Sequence, residues 1–286
     1  LNKSSALTIS SFYREQRDMI QVRKLTGAFP VDYLTYDNID FGTVKGATLT
    51  YDLRRTKNIQ FKASYTIQFA EGTGSSTTTS LNLVNSGQPN LRTILPYTYD
   101  QRHAVTATID FRYGSGKDYN GPMIKGKPLL ENFGVNLVTL GGSGTPYTAR
   151  DRATGRELFT GGGGNGSVTG DVNGSRLPLV FRMDARIDKD FVITWKKGSE
   201  GSQAKQSYLN VYFQILNLLD RNNVSGVYGY TGSPDDDGFL ASSLYTNQIE
   251  AQLDEEAYRD QYSIKLNNPY NYELPRRFRL GMSISF

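Results

Sequence analysis

The chain has 286 residues, a formal net charge of +4 and 37% hydrophobic residues. No segment approaches the roughly 20 apolar residues of a spanning helix, which argues against a helical membrane protein. The absence of cysteine excludes a disulfide framework and thiolate chemistry, and the single histidine, His103, excludes a metal site built on histidine pairs. The basic residues are dispersed without a patch, so nucleic-acid binding has little support.

Alternation of apolar and polar residues, which is typical of strands with one polar side, recurs along the chain. Ile59 to Phe69 is one such run, and Val105 to Tyr113 is another. The pattern predicts strands near residues 5–14, 19–26, 42–54, 58–70, 102–113, 131–140, 178–187, 190–197, 206–217, 222–230 and 276–286.

The predicted connections alternate in length. Short turns are expected at 15–18, 55–58, 188–189 and 218–222, and long loops at 27–40, 71–100, 141–177 and 231–275. In outer-membrane barrels the short turns face the periplasm and the long loops face outwards. Two segments break the alternation, because 114–131 is long where a turn is due and 197–205 is short where a loop is due.

Between Thr246 and Tyr262 the period changes, which predicts one short helix capped by Thr246 or Asn247. The expected helical face consists of Ile249, Leu253, Ala257 and Tyr262. Residues 231–275, which contain this segment, carry nine acidic residues and two basic ones. Such a loop could attract a cationic ligand or a partner lipoprotein, although keeping a surface loop soluble explains the charge equally well.

The final strand alternates strictly between an apolar and a polar side. Its apolar positions are Phe278, Leu280, Met282, Ile284 and Phe286. A strand of this kind that ends on an aromatic residue resembles the terminal strand of bacterial outer-membrane β-barrels, where the pattern is the assembly signal. An edge strand of a soluble sandwich has the same local pattern. Repetition along the chain, with charges confined to one side, favours the barrel wall.

Charged residues on the polar side of the predicted strands are candidates for lining a wet lumen and contacting a ligand. These candidates are Arg182, Asp184, Arg186, Asp110 and Arg112. The alternative is structural, because barrel walls also pair such charges across neighbouring strands.

Three adjacent carboxylates in the last long loop, Asp235, Asp236 and Asp237, offer oxygen ligands for a calcium ion. They lack the alternate spacing of an EF-hand and its distal glutamate, so a solvated turn is the favoured interpretation. No other metal site is expected. His103 has no nucleophile beside it in the sequence, so the chain is not expected to be an enzyme and no catalytic residues are assigned.

Several short motifs together carry a resemblance to a known family. They are Asp100-Gln101-Arg102-His103, Ser143 to Thr148, Leu177-Pro178 ahead of Arg182-Met183-Asp184, Gln214 to Asn223, Tyr230 to Gly238 and Leu274 to Gly281. With these motifs nearly the whole chain resembles the carboxy-terminal barrel portion of a TonB-dependent outer-membrane receptor of the Bacteroidetes kind. The resemblance implies an all-β, antiparallel transmembrane β-barrel segment over 1–286, about half (roughly 11 strands) of a 22-strand-type barrel. The plug domain and the amino-terminal strands are absent.

The resemblance also implies a function, which is active import of a scarce ligand across the bacterial outer membrane. The ligand would be a siderophore, glycan, peptide or cobalamin, because fold does not determine cargo. The implied partners are outer-membrane lipid and lipopolysaccharide, the TonB complex through the missing plug, the missing amino-terminal half and a surface lipoprotein; no cofactor and no nucleic acid are implied. The alternatives are a passive pore or adhesin, or a structural barrel subunit of an outer-membrane complex.

Overall fold

The computed structural model describes residues 3–25, 27, 29–81, 93–153, 167–195 and 206–286, and these are mostly antiparallel strand. The strands are β1 (Ser5–Leu25), β2 (Tyr33–Thr56), β3 (Ile59–Gly72), β4 (Leu95–Pro96), β5 (His103–Arg112), β6 (Met123–Ile124), β7 (Lys127–Pro128), β8 (Phe133–Gly142), β9 (Pro146–Tyr147), β10 (Ser175–Arg176), β11 (Val180–Thr194), β12 (Gln206–Leu216) and β13 (Arg277–Ser285). The helices are α1 (Thr246–Glu250) and α2 (Glu255–Leu266), with 3-10 turns at Gly116–Asp118 and Pro269–Asn271. Neither helix is long and apolar enough to cross a membrane.

Eight long strands form one antiparallel sheet in which each strand pairs with the next long strand along the chain. Their order is β1-β2-β3-β5-β8-β11-β12-β13, and β4 adds two residues beside β3. β6 with β7 and β9 with β10 form two small separate hairpins. Within the described ranges β1 and β13 do not pair with each other, so this sheet is open at both edges.

Two predicted turns are wrong, because the strands continue through them. At 15–18 the chain forms a bulge inside β1, where the register shifts between Gln16 and Met19 and Asp18 takes a φ of 56°. Aspartate tolerates this left-handed conformation, so the strand can bend without ending. At 188–189 the alternation of sides persists, and β11 runs unbroken over both predicted strands.

The predicted strand at 222–230 is also wrong. Apart from an isolated bridge between Val224 and Tyr272, this segment lies in the connection between β12 and β13. The predicted turn at 218–222 is therefore the start of that long connection. The two mergers and this lost strand account for the difference between eleven predicted strands and the eight of the described sheet.

With these mergers the connections between successive long strands alternate between the two ends of the sheet. The strands that flank 26–32, 73–102, 143–179 and 217–276 meet these connections at one end of the sheet, the long-loop end. The strands that flank 57–58, 113–132 and 195–205 meet these connections at the opposite end, the short-loop end. The connection around 197–205 therefore falls where a short one is expected, whereas 113–132 remains long for its end.

The register gives the sheet one apolar and one polar face. One row of the apolar face runs through Leu53, Phe61, Ile109, Leu137, Ala185, Ile215 and Phe278 on successive strands. One row of the polar face runs through Gln60, Asp110, Asn136, Arg186, Gln214 and Arg279. The apolar face is exposed, with Ile9 and Leu280 at 75% and 78% of their full accessibility.

The buried hydrophobic cluster lies in the loops rather than against the sheet. It consists of Ala153, Phe239, Ile249, Tyr262 and Leu266. The expected inward positions Ile249 and Tyr262 are buried as predicted, but two helices replace the single predicted one. Asp254 caps α2 by accepting a hydrogen bond from the Ala257 amide at 2.9 Å, so the predicted caps are wrong for the longer helix. Leu253 is fully exposed between the helices.

Tyr97, in the connection between β3 and β5, packs its side chain against the polar face of the sheet. Its ring lies over Gly42 and Gly72, which are cross-strand partners at the ends of β2 and β3, and a Cβ on either glycine would overlap the ring. Tyr97 is buried and its hydroxyl has no hydrogen-bond partner among the described residues. Burial, followed by the nearby Tyr99 and Asp40, raises the pKa of Tyr97 to about 12.

Gly42→Ala is expected to lower the free energy of unfolding by about 1–3 kcal/mol, because the added methyl displaces the Tyr97 ring. Gly141→Ala is the matched control, since a Cβ there meets the Phe181 ring at 3.5 Å and the Val180 carbonyl oxygen at 3.9 Å, which are ordinary contact distances. Urea unfolding followed by the fluorescence of the single tryptophan, Trp195, measures both. Equal losses in the two variants would contradict the seating of Tyr97.

Tyr97→Phe is expected to leave stability unchanged near neutral pH and to reduce its loss in alkali. The folded-state pKa of about 12 lies above the ordinary value of 10.0, so the unfolded chain ionises first and stability falls as pH rises from 10 towards 12. Removing the hydroxyl removes this contribution. Unfolding midpoints at pH 8 and pH 11, compared with an exposed Tyr270→Phe control, test it; an unchanged alkaline slope in Tyr97→Phe would refute it.

Candidate functional site

Three adjoining grooves on the polar face form a furrow at the short-loop end. The first, of about 640 Å³, is the basic groove, lined by Lys3, Ser4, Ser5, Ala6, Thr8, Thr50, Asp52, Arg54, Arg55, Gln60 and Lys62. The linking groove, of about 300 Å³, is lined by Gln60, Lys62, Thr108, Asp110 and Asn136. The third, of about 610 Å³, is the balanced groove, lined by Asp110, Arg112, Asn136, Arg186, Asp188, Asp190, Asn210 and Ser283. Shared residues join the three grooves in this order.

The balanced groove is organised around the buried carboxylate of Asp188. Arg112 donates from one nitrogen to both Asp188 oxygens at 2.9 Å and lies 3.6 Å from Asp190. Asn210 donates to Asp190 at 2.6 Å and to Asp188 at 3.3 Å. Because each buried oxygen of Asp188 accepts at least one hydrogen bond, the charge is stabilised where water is largely excluded.

Two glycines make room for this network. Gly134 of β8 lies between Arg112 of β5 and Asp188 of β11 in the register, and a Cβ there would stand 2.6 Å from the Arg112 guanidinium. The missing side chain lets Arg112 reach across β8 to Asp188. Gly281 likewise accommodates the Tyr212 ring.

The Arg186 guanidinium lies 4.2 Å from the centre of the Tyr212 ring, in a cation–π contact. Arg186 also donates to the Asn210 side chain at 3.3 Å. The balanced groove therefore presents a planar cation over an aromatic ring beside amide and carboxylate groups. These groups can bind a polar ligand through hydrogen bonds and ionic contacts.

The five candidate residues separate into two groups. Asp110, Arg112 and Arg186 meet in the balanced groove. Arg182 and Asp184 lie outside the furrow, towards the long-loop end, and bind each other through two hydrogen bonds of 2.8 Å and 2.7 Å. Asp184 also accepts a 2.8 Å hydrogen bond from the Asn217 amide, which ties β11 to the end of β12.

Sequence reasoning missed Asp188, Asp190 and Asn210. The sequence predicts a turn at 188–189, and it gives Asp190 and Asn210 no role beyond membership of the predicted strands 190–197 and 206–217. The register carries the signal that finds them, because Asp188 and Asn210 stand on the polar face beside Arg186.

Two of the family-like motifs serve the architecture of the long-loop end. Asp100 is buried, accepts from the Ala70 amide at 2.9 Å and pairs with Arg176 of β10. Asn223 accepts from the Phe181 amide at 2.9 Å and donates to the Phe181 carbonyl at 3.0 Å. These side chains attach the long connections to the ends of the strands.

The three adjacent carboxylates have separate partners. Asp235 accepts from the Tyr272 hydroxyl at 2.6 Å, an interaction that raises the pKa of Tyr272. Asp236 accepts from the Gly238 amide at 2.8 Å. Asp237 is buried and accepts from the Tyr262 hydroxyl at 2.5 Å. The favoured interpretation as a solvated turn therefore does not describe Asp237. No group of three or more His, Cys, Asp or Glu residues suited to a metal ion occurs in the described ranges.

The proposed assembly residues lie along β13 on the apolar face. Phe278, Leu280, Met282 and Ile284 are exposed there and pair with Ile215, Phe213, Val211 and Leu209 of β12. Phe286 follows the strand and is 95% exposed. The single histidine, His103, lies on the same face, where its Nδ1 is 2.8 Å from the Tyr65 hydroxyl. Comparison with known proteins finds no matching family model and no matching curated protein.

Asp188→Asn is expected to lower the free energy of unfolding by about 1.5–3 kcal/mol, because Arg112 loses a charged acceptor. Asp52→Asn is the control, since this polar-face carboxylate has no ion-pair partner among the described residues, and a change within about 0.5 kcal/mol is expected. Urea unfolding measures both variants. Equal effects would show that the network around Asp188 contributes little.

Proposed function

We propose that this chain is part of the wall of an outer-membrane β-barrel and serves a TonB-dependent receptor that imports a scarce ligand. The observation that carries the proposal is the exposed apolar face that continues across all eight strands, backed by a continuous polar face. A barrel wall needs this combination, with hydrocarbon on the outside and water inside.

The extent of the apolar face supports a lipid environment. Eight strands at about 4.8 Å spacing make a face over 30 Å wide, and its strands meet the length of about 10 residues needed to cross a bilayer. Soluble monomers rarely expose contiguous apolar patches larger than a few hundred Å². Lipid would cover this face without any further protein.

The placement of the connections supports one orientation of the sheet in the outer membrane. The two helices, the buried cluster and most of the long connections lie at the long-loop end, which we assign to the cell surface. β1 and β2, with 21 and 24 residues, are long enough to project well beyond the bilayer at that end. The acidic 231–275 segment would then be exposed outside, where a surface lipoprotein is a further proposed partner.

The proposed import function rests on the family resemblance of the sequence motifs. Eight described strands are a fraction of a 22-strand transporter barrel, whose wide lumen is filled by a plug. In such a receptor the furrow and the long connections would face the cargo, which is a siderophore, glycan, peptide or cobalamin. TonB would act through the plug, outside this chain.

Ile109→Lys is expected to reduce the amount of folded protein in the outer membrane, because a cation on the lipid face costs about 2–4 kcal/mol near the bilayer midplane. Thr106→Lys, on the polar face of the same strand, is the matched control and is expected to assemble normally. Heat-modifiable mobility of the full protein in isolated outer membranes reports the folded fraction. Normal assembly of both variants would contradict the assignment of the apolar face to lipid.

Import by a TonB-dependent receptor is tested separately by the intact mass of the native protein purified from outer membrane, with amino-terminal sequencing of whatever accompanies this chain. A mass about twice that of this chain or more, with plug sequence, supports the importer. An outer-membrane protein of this chain's own mass, with no partner, would contradict TonB coupling and favour a passive pore.

A further inference from the structure

The basic groove contains more positive than negative charge. It is lined by four cationic side chains and one carboxylate, which are Lys3, Arg54, Arg55, Lys62 and Asp52. The groove lies on the polar face of β1, β2 and β3, where Thr8 and Thr50 form a cross-strand pair of hydroxyl side chains.

Two of these cations are not neutralised within the described protein. Arg55 pairs with Asp110 of β5, so its charge is compensated across the linking groove. Arg54 and Lys62 form no ion pair with any residue that the structure describes, although Asp52 stands opposite Lys62 in the register. Like charges held close together on one sheet face destabilise it unless an anion neutralises them.

The balanced groove on the same face shows a different arrangement. Asp110 pairs with Arg55, and both Asp188 and Asp190 pair with Arg112. Arg186 contacts the Tyr212 ring and the Asn210 side chain. Each carboxylate of the balanced groove therefore has an arginine partner on the same face. The basic groove differs because its cationic side chains outnumber its single carboxylate four to one.

We propose that the basic groove is a binding site for a ligand that carries at least two carboxylate or phosphate groups. Arg54 on β2 and Lys62 on β3 offer charged donors on adjacent strands, and the threonine hydroxyls offer neutral donors to the same oxygens. A volume of about 640 Å³ accommodates a small multivalent anion. The inference rests on the groove alone and does not require the proposed import function.

The test is isothermal titration of the full protein in detergent with inorganic pyrophosphate and, separately, with citrate. The variant is Arg54→Gln with Lys62→Gln, and the matched control is Arg14→Gln with Lys127→Gln, which removes two charges outside the groove that form no ion pair with any described residue. Heat-modifiable mobility checks that both double variants fold.

Saturable binding is expected in the wild type and the control, with affinity weakened at least about tenfold in the groove variant. Binding should also weaken as salt concentration rises. Pyrophosphate binding without citrate binding assigns the site to phosphate groups, and the reverse assigns it to carboxylates. No saturable binding of either anion, or equal affinity in the two double variants, would overturn the proposal.

Discussion

The structure depends on one constraint: side chains alternate between the two faces with a period of two residues, and this alternation stays in register across the eight neighbouring strands. A slip of one residue in any strand would exchange its apolar and polar sides. The irregular stretch of β1, with register shifts between Gln16 and Met19 and between Met19 and Ile20, respects this constraint. It begins after Gln16, whose partner Gly42 pairs in turn with Gly72 at the last row that reaches β3. These shifts are therefore confined to the two-stranded extension, and the other shift, between Leu53 and Thr56, lies beside the turn that joins β2 to β3.

Besides the register, the sizes of neighbouring side chains determine which polar groups meet on the polar face. On the polar face a long arginine or an aromatic ring lies beside glycine on the neighbouring strand, as Arg112 does beside Gly134 and Tyr212 beside Gly281. This arrangement carries the guanidinium of Arg112 over β8 to a carboxylate on β11. The network thus links β5, β11 and β12 through side chains, across β8, in addition to the backbone hydrogen bonds of the sheet.

The sequence predicted the strands whose alternation ends at a genuine turn, and β3, β5, β8, β12 and β13 lie close to their expected bounds. It failed at Asp18 and at Asp188-Lys189, where polar residues suggested turns. Asp188 belongs inside a strand because Arg112 compensates its charge, and these two residues are 76 positions apart. The candidate charges were visible in the sequence, but their partners follow from the register, which no local pattern contains.

The two ends of the sheet differ in what holds them and in their charge. The long-loop end has its own buried cluster around Phe239. Its 231–275 segment is strongly acidic, whereas the basic groove lies at the opposite end of the polar face. An anion approaching along that face from the long-loop end would first be repelled. The anion that occupies the basic groove is therefore expected to enter from the short-loop end or to belong to a protein segment that packs against the polar face.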